Sequence, residues 1–378
     1  MRPVYSAGVD GRISFLGNKL FGPVADIRAA ALDQAEFAGR VDAFREQKHW
    51  GALSRINDTI WSASIQYLSQ LGSIFAPLPL VTRMISSPGS LYGRERIDFT
   101  SDTSPIRLRW FDLPYEAFLS ESSQIYLELY LCQEGISRVY SIYNSFRKEH
   151  ADATHLSEFH HIEYEGQHDQ ATNIEVALGL IRSIAAQLTE RREADLSNFI
   201  SAQELKELAD FGKGGGQVFR MSFEDALECL AGDTKDDRFK RFTMREFDAW
   251  AEIRLTEIVG GLVIVEHFPL YEVPFYHDRL DDKQGANLAN NADFIWPGYR
   301  EIIGSGYRVS SAERLEEKAA AFNLPRDDYE PYMRSRRKNY VPSSGFGVGW
   351  ERLLQAFLRT PYIWTACAFP RVHAFLTP

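Results

Sequence analysis

The chain has 378 residues, enough for one large domain or two ordinary ones, and its 44% hydrophobic and 25% charged residues suit a folded soluble protein. A net charge of −10 argues against a broad phosphate-binding surface, which needs clustered Lys and Arg. Cys132, Cys229 and Cys367 cannot all pair and lack metal-ligand spacing, so reduced thiols of a cytoplasmic protein are expected. No run approaches the ~20 apolar residues of a membrane span, and the opening MRPVYSAGVDGR lacks an apolar signal core.

Residues 1–44 carry a short alternation, Val9-Asp10-Gly11-Arg12-Ile13-Ser14-Phe15, and then an Ala-rich helical stretch. From about 45 to 71, Trp50, Leu53, Ile56, Ile60, Ala63 and Leu68 recur at helical spacing. The segment SIFAPLPLVTRMISSPG follows, with Pro77 and Pro79. Residues 119–132, LSESSQIYLELYLC, read on pattern alone as a half-buried strand. Val139-Tyr140-Ser141-Ile142-Tyr143 and Glu158-Phe159-His160-His161-Ile162-Glu163-Tyr164-Glu165 then read as two strands joined by a polar loop. Arg147 and Glu149 open that loop, and a planar, permanently charged guanidinium there suits a pair of phosphate oxygens.

Residues 167–260 are mainly helical in pattern, with Ile174–Leu188 and Ala202–Phe211 amphipathic. The tract Gly212-Lys213-Gly214-Gly215-Gly216 lacks the GxxxxGK[ST] order and a buried strand before it, so a connector is expected. Ser222, followed by Glu224 and Asp225, is a helix-start signal. Residues 261–310 read as three strands: GLVIVEHFP, VPFYHD and ADFIWPGYREIIGSGYR. Within the last of these, Glu301 follows Asp293 by eight positions. After a helical stretch, Ser311–Phe322, comes GFGVGWERL. Gly345, Gly347 and Gly349 let the backbone pass close to a ligand, and a helix from Trp350 would offer its N-terminal amides to an anion. His150, His155, His160, His161 and His168 invite a zinc reading, but adjacent strand residues such as His160 and His161 face opposite ways.

The order FRKEHADATHLSEFHHIEYE resembles motif 2 of the class II aminoacyl-tRNA synthetases, in the asparaginyl/aspartyl/lysyl branch and within it the asparaginyl type. GFGVGWERL resembles motif 3, and ADFIWPGYREIIGSGYR resembles the D-x-x-x-P-G-x-x-EIIGGSQR segment that precedes it. LSESSQIYLELYLC is similar to TQSPQLYLQ, with Glu121 and Ser123 replacing its first Gln and its Pro. The closing AFPR matches PFPR, and residues 45–79 loosely match motif 1, the family's dimer interface. The resemblance implies an α+β fold, an antiparallel sheet of six or seven strands flanked by helices, assembled as a homodimer. It divides the chain into a short extension, 1–44, and a catalytic domain, 45–378, with a mainly helical insertion at about 167–260.

The same resemblance assigns ATP and Mg²⁺ as cofactors and gives the residues their roles. Arg147 would grip the α-phosphate and the activated carboxylate, and Arg352 the γ-phosphate, making these two the catalytic pair. Glu149 would meet the adenine amino group and Phe159 stack on the ring, with His155 and Gly349 completing the ATP site. Glu301 and Asp293 would hold the metal, supported by Glu351. Gln124, helped by Glu163, would bind the substrate amino group; His161 would line the amino-acid pocket, and Arg308 would read the side-chain carbonyl or carboxylate. Leu127 stands where aspartyl enzymes place a Lys, which favours the asparaginyl branch.

Four departures bear on function. Asparaginyl and aspartyl enzymes carry an anticodon-binding OB barrel ahead of the core, and residues 1–44 are too short for its five strands. SSPGSLYG, residues 86–93, stands in place of TEGGA, Ser343 in place of a His, and Asn339 in place of a Gly. The expectation is an ATP-dependent adenylate-forming ligase that activates an aspartate- or asparagine-like carboxylate and passes it to a small nitrogen nucleophile, such as ammonia. A true asparagine or aspartate tRNA ligase is the first alternative. A catalytically inactive paralogue acting as a binding module is the second, and the retained Arg147, Glu149, Glu301 and Arg352 argue against it.

Overall fold

The computed structural model describes residues 5–7, 12–15, 18–23, 34–89, 91–93, 104–149, 152–241, 247–280, 287–337, 340–374 and 376. His150 and Asn339 lie outside the described residues, as do Ser90 and Val9-Asp10-Gly11. Three short strands come first, β1 (Tyr5–Ala7), β2 (Arg12–Phe15) and β3 (Asn18–Pro23), paired antiparallel in that order. Two short helices, α1 (Gln34–Ala38) and α2 (Arg40–Glu46), lead into α3 (Lys48–Gln70). The helical spacing read from sequence is the buried stripe of α3: Leu53, Ile56, Ile60, Ala63 and Leu68 all enter the main core.

The strands β4 (Ile74–Phe75), β5 (Val81–Thr82), β6 (Arg107–Arg109) and β7 (Glu116–Leu119) follow, and the last three form a small sheet of order β5-β7-β6. Residues 119–132 are not one strand. The chain leaves β7 at Leu119, turns, and enters α4 (Gln124–Tyr130). The turn is made by serines that bond to their own neighbourhood: Ser120 Oγ donates to Ser122 O and lies 2.9 Å from Ser123 Oγ.

β8 (Arg138–Phe146) and β9 (Glu158–Gly166) pair antiparallel from Arg138 opposite Gly166 to Phe146 opposite Glu158. The chain then forms α5 (Gln170–Arg191), α6 (Glu193–Leu196), α7 (Ala202–Gly212), β10 (Val218–Ser222), α8 (Phe223–Thr234) and α9 (Ala249–Val259). Ser201 with Glu204, and Ser222 with Asp225, form complete capping boxes on α7 and α8. The Gly-rich tract is a connector, with Gly214 and Gly216 at φ +93° and +76°.

The rest of the chain gives β11 (Leu262–Glu266), β12 (Asn291–Ile295), β13 (Glu301–Tyr307), α10 (Ala312–Ala321), α11 (Arg326–Ser335), β14 (Ser344–Gly349) and α12 (Trp350–Leu358). VPFYHD, expected as a strand, is instead a turn in which His277 N donates to Pro274 O. Pro274 has no N–H to give a ladder, and buried Phe275 and Tyr276 anchor the turn in a second core cluster under α10 and α11.

The central sheet has eight strands in the order β10-β11-β12-β13-β14-β9-β8-β4. Its middle six are antiparallel, as expected, and the extra strands are parallel edges, β10 on β11 and β4 on β8. Side chains alternate across β9. Ile162 and Tyr164 enter the main core with α3 and α5, so His161, Glu163 and Glu165 project from the opposite face. That second face carries the candidate site.

Candidate active site

Arg147 follows β8 directly, its N–H donating to Ser157 O at 2.9 Å. Its guanidinium carbon lies 5.3 Å from the Phe159 ring centre, and Nη1 is 3.9 Å from Glu149 Oε1. Nε is buried without a hydrogen-bond partner, an arrangement that a bound acceptor such as phosphate would complete. In the loop, Asp152 accepts from Thr154 N at 2.7 Å and lies 2.8 Å from His155 Nδ1. Burial opposes ionisation of Asp152, but His155, Arg300 and the Thr154 amide together hold its carboxyl below the usual range.

Arg352, in the first turn of α12, donates from Nη1 to Glu301 O at 2.8 Å and from Nη2 to Thr154 O at 3.1 Å. Three distant segments therefore meet at one guanidinium. The seven residues assigned to ATP from sequence (Arg147, Glu149, His155, Phe159, Glu301, Gly349 and Arg352) all line a single cleft, which His161 and Thr154 also face.

Glu301 begins β13, and Asp293 lies on β12 beside it. A Cβ on Gly304 would come within 2.9 Å of Glu301 Oε1 and 3.8 Å of Asp293 Oδ1, so this glycine makes room for the two carboxylates together. Burial, and then their mutual repulsion, hold Asp293 well above the ordinary carboxylate range; Glu301 is also raised, chiefly by burial. A divalent cation would relieve both effects, and two carboxylates completed by phosphate oxygens suit Mg²⁺. Glu351 accepts from His160 N at 2.9 Å and lies 2.6 Å from His160 Nδ1, whereas His161 turns the other way, 2.7 Å from Ser145 Oγ. Burial and the nearby Arg147 and Arg352 keep His161 neutral, well below its usual pKa.

Among the residues expected to meet the amino acid, Glu163 accepts from Ser122 Oγ at 2.7 Å and Tyr143 OH at 2.5 Å, and burial pushes its carboxyl up to about 7. Gln124 spends both Nε2 hydrogens, on Tyr164 O at 2.8 Å and Glu165 Oε2 at 2.7 Å, which leaves Oε1 as its acceptor. Arg308 donates from Nε and Nη2 to Glu165 at 3.0 and 2.9 Å. Glu128 stands 4.0 Å behind Arg308 and takes hydrogen bonds from Arg336 and from Tyr332 OH. Gly345 proves necessary here: a Cβ on it would collide with Glu165 Oε2, so the glycine admits a side chain of the site. Ser343, where the family has His, bonds Tyr340 OH at 2.9 Å.

Sequence reasoning missed Glu165, although the two-residue period of β9 puts it on one face with His161 and Glu163. It also missed Arg300, which donates to Glu252 of α9 at 2.7 Å and to Thr154 Oγ1 at 3.3 Å. No local pattern links those two residues.

A family model for class II tRNA synthetases (D, K and N) matches residues 99–373. The asparagine–tRNA ligase of Buchnera aphidicola subsp. Baizongia pistaciae is 27% identical over 333 residues, covering 85% of this chain and 70% of that protein. The asparagine–tRNA ligase of Thermococcus gammatolerans is 27% identical over 332 residues, covering 86% and 70%. The crystal structure of Pyrococcus horikoshii asparaginyl-tRNA synthetase complexed with asparaginyl-adenylate superposes with a TM-score of 0.76 at 26% identity, over 97% of this chain and 79% of that one. With its motif residues gathered around one cleft and the family match running through most of its length, the chain belongs to the class II tRNA synthetases of the D, K and N group and is an ATP-dependent adenylate-forming ligase.

Proposed function

We propose that the enzyme activates asparagine as asparaginyl-adenylate and transfers the asparaginyl group to tRNA. The Arg308–Glu165 pair carries the choice of amino acid. A carboxamide needs a donor for its carbonyl and an acceptor for its NH₂, and this pair offers both. A second carboxylate would instead face Glu165 and Glu128, both fully buried, against a guanidinium they already neutralise. Sequence alone favoured a small nitrogen acceptor. The two asparagine–tRNA ligases named above, each matched over 70% of its own length, favour tRNA.

The substrate carboxylate attacks the ATP α-phosphorus and pyrophosphate leaves. Arg147 supplies a buried, unpaired N–H at the cleft, and Arg352 is held there by two backbone carbonyls, so neither must reorganise as charge develops. Asp293 and Glu301 would hold Mg²⁺, which when bound neutralises phosphate charge. Gln124 and Glu163 serve the amino group, and His161, kept neutral, packs beside them without competing for the phosphates. Residues 45–378 form the catalytic domain, with 1–44 an extension of it and 167–260 an insertion. A homodimer fits the exposed edge strand β4, where Ile74 and Phe75 are 48% and 52% exposed. Among the described residues no helix is long and apolar enough to cross a membrane, and a cytoplasmic enzyme is the matching assignment.

Pyrophosphate exchange with asparagine and aspartate, followed by tRNA or hydroxylamine as acceptor, tests the reading. Asparagine-dependent exchange and asparaginyl-tRNA are expected. Exchange without tRNA charging, but with hydroxamate released, would instead support the small-molecule acceptor, and no exchange at all the inactive paralogue.

A further inference from the structure

Glu121 sits in the turn between β7 and α4, in a position where the family has Gln. Its side chain is fully buried. Oε1 accepts from the Ser87 amide at 2.5 Å, while Oε2 is buried with no hydrogen-bond partner. An unpaired buried oxygen is costly, the more so if charged, so its retention calls for an occupant.

The surroundings indicate which occupant. Its chain neighbour Ser122 donates to Glu163 at 2.7 Å, and Gln124, three positions on, reaches Glu165 at 2.7 Å, so the turn that carries Glu121 also carries two contacts to the expected amino-acid side of the cleft. Glu163 already holds Ser122 and Tyr143, and Glu165 holds Arg308 and Gln124, so each meets the substrate with its remaining lone pairs, whereas Glu121 Oε2 is the one wholly unpaired carboxylate oxygen of the three. In the ionised form Oε2 takes a donor, and a cationic donor compensates a buried carboxylate best. Because Oε1 stays on Ser87, the free oxygen is already oriented.

We propose that Glu121 is a specificity-determining residue that takes the ammonium group of the amino-acid substrate on Oε2, so that the enzyme selects α-amino acids over their desamino counterparts. This rests on the reading of the site as amino-acid-activating. Burial pushes the free Glu121 carboxyl up to about 7, and an arriving ammonium would favour its ionised form.

The test compares exchange driven by asparagine and by succinamate, the same molecule without its amino group. Glu121→Gln exchanges one oxygen for NH₂ and removes no volume. It should raise the KM for asparagine about 10-fold or more, leave that for ATP unchanged, and leave succinamate kinetics as they were. Glu121→Asp, which keeps the charge, should recover part of the preference. Equal losses with both substrates, or an unchanged asparagine KM, would overturn the assignment. A wild type that exchanges with aspartate rather than asparagine sinks the asparagine reading alone, and succinate then replaces succinamate in the comparison. A wild type active with neither overturns both.

Discussion

Arg352 Nη1 donates to the backbone carbonyl of Glu301 at 2.8 Å, so the α12 guanidinium and strand β13 form one mechanical unit. The same side chain reaches Thr154 O through Nε at 3.3 Å and Nη2 at 3.1 Å, which ties the loop after β8 to it as well. Lysine is a point charge without the planar fork that here holds Glu301 O and Thr154 O through separate nitrogens. Arg352→Lys should lower pyrophosphate exchange about 100-fold or more. Retention of wild-type exchange would refute the role.

Arg147 presents a different case. Among the described residues its side-chain polar contacts are sparse, with Glu149 at 3.9 Å and Nε unpaired. Arg147→Ala should therefore abolish exchange while changing unfolding free energy by no more than about 1 kcal/mol. A large loss of stability in urea would show that the side chain is structural.

Arg308 is the reverse, because Glu165 and Glu128 are buried against it. Arg308→Ala should cost roughly 3–5 kcal/mol by leaving buried acids uncompensated. Glu165→Gln keeps the shape and removes an acceptor, so the ratio of asparagine to aspartate exchange should fall. An unchanged ratio would remove the basis for choosing asparagine.

Glu163 gives a pH signature. Its folded carboxyl is raised by burial to about 7 from an ordinary 4.5. Between those values the folded state holds more protons, so its stabilising contribution is complete below about 4.5 and disappears as pH rises through about 7. Relative to wild type, Glu163→Gln should gain on the order of 2–3 kcal/mol between about pH 5 and pH 8. His161, kept neutral by burial, works in the opposite direction, so the difference between the two proteins, measured by urea titration, is the quantity to follow.

The edge strand β4 supplies the last test. Phe75→Glu puts a charge on its exposed aromatic position and should convert a homodimer to monomers in sedimentation. An assembly state unaffected by that substitution would move the interface elsewhere.

Local sequence determined what local physics controls. The period of α3, the Ser cap of α8, the two strands that flank Arg147 and the glycine-to-helix run ending in Arg352 were all legible, because each is a pattern within a few turns of chain. The spacing of Asp293 and Glu301 was legible too, since the two residues lie on the paired strands of one hairpin, where Asp293 faces Gly304 and Glu301 faces Ile295. Only the tertiary structure decided that Gln124 begins a helix, that Arg308 is paired with Glu165, that Arg300 leans on Glu252 from the insertion, and that Glu121 keeps a bare oxygen. Those outcomes depend on groups far apart in the chain that are forced together by burial, where a charge must find a partner and the sequence does not say which one is in reach.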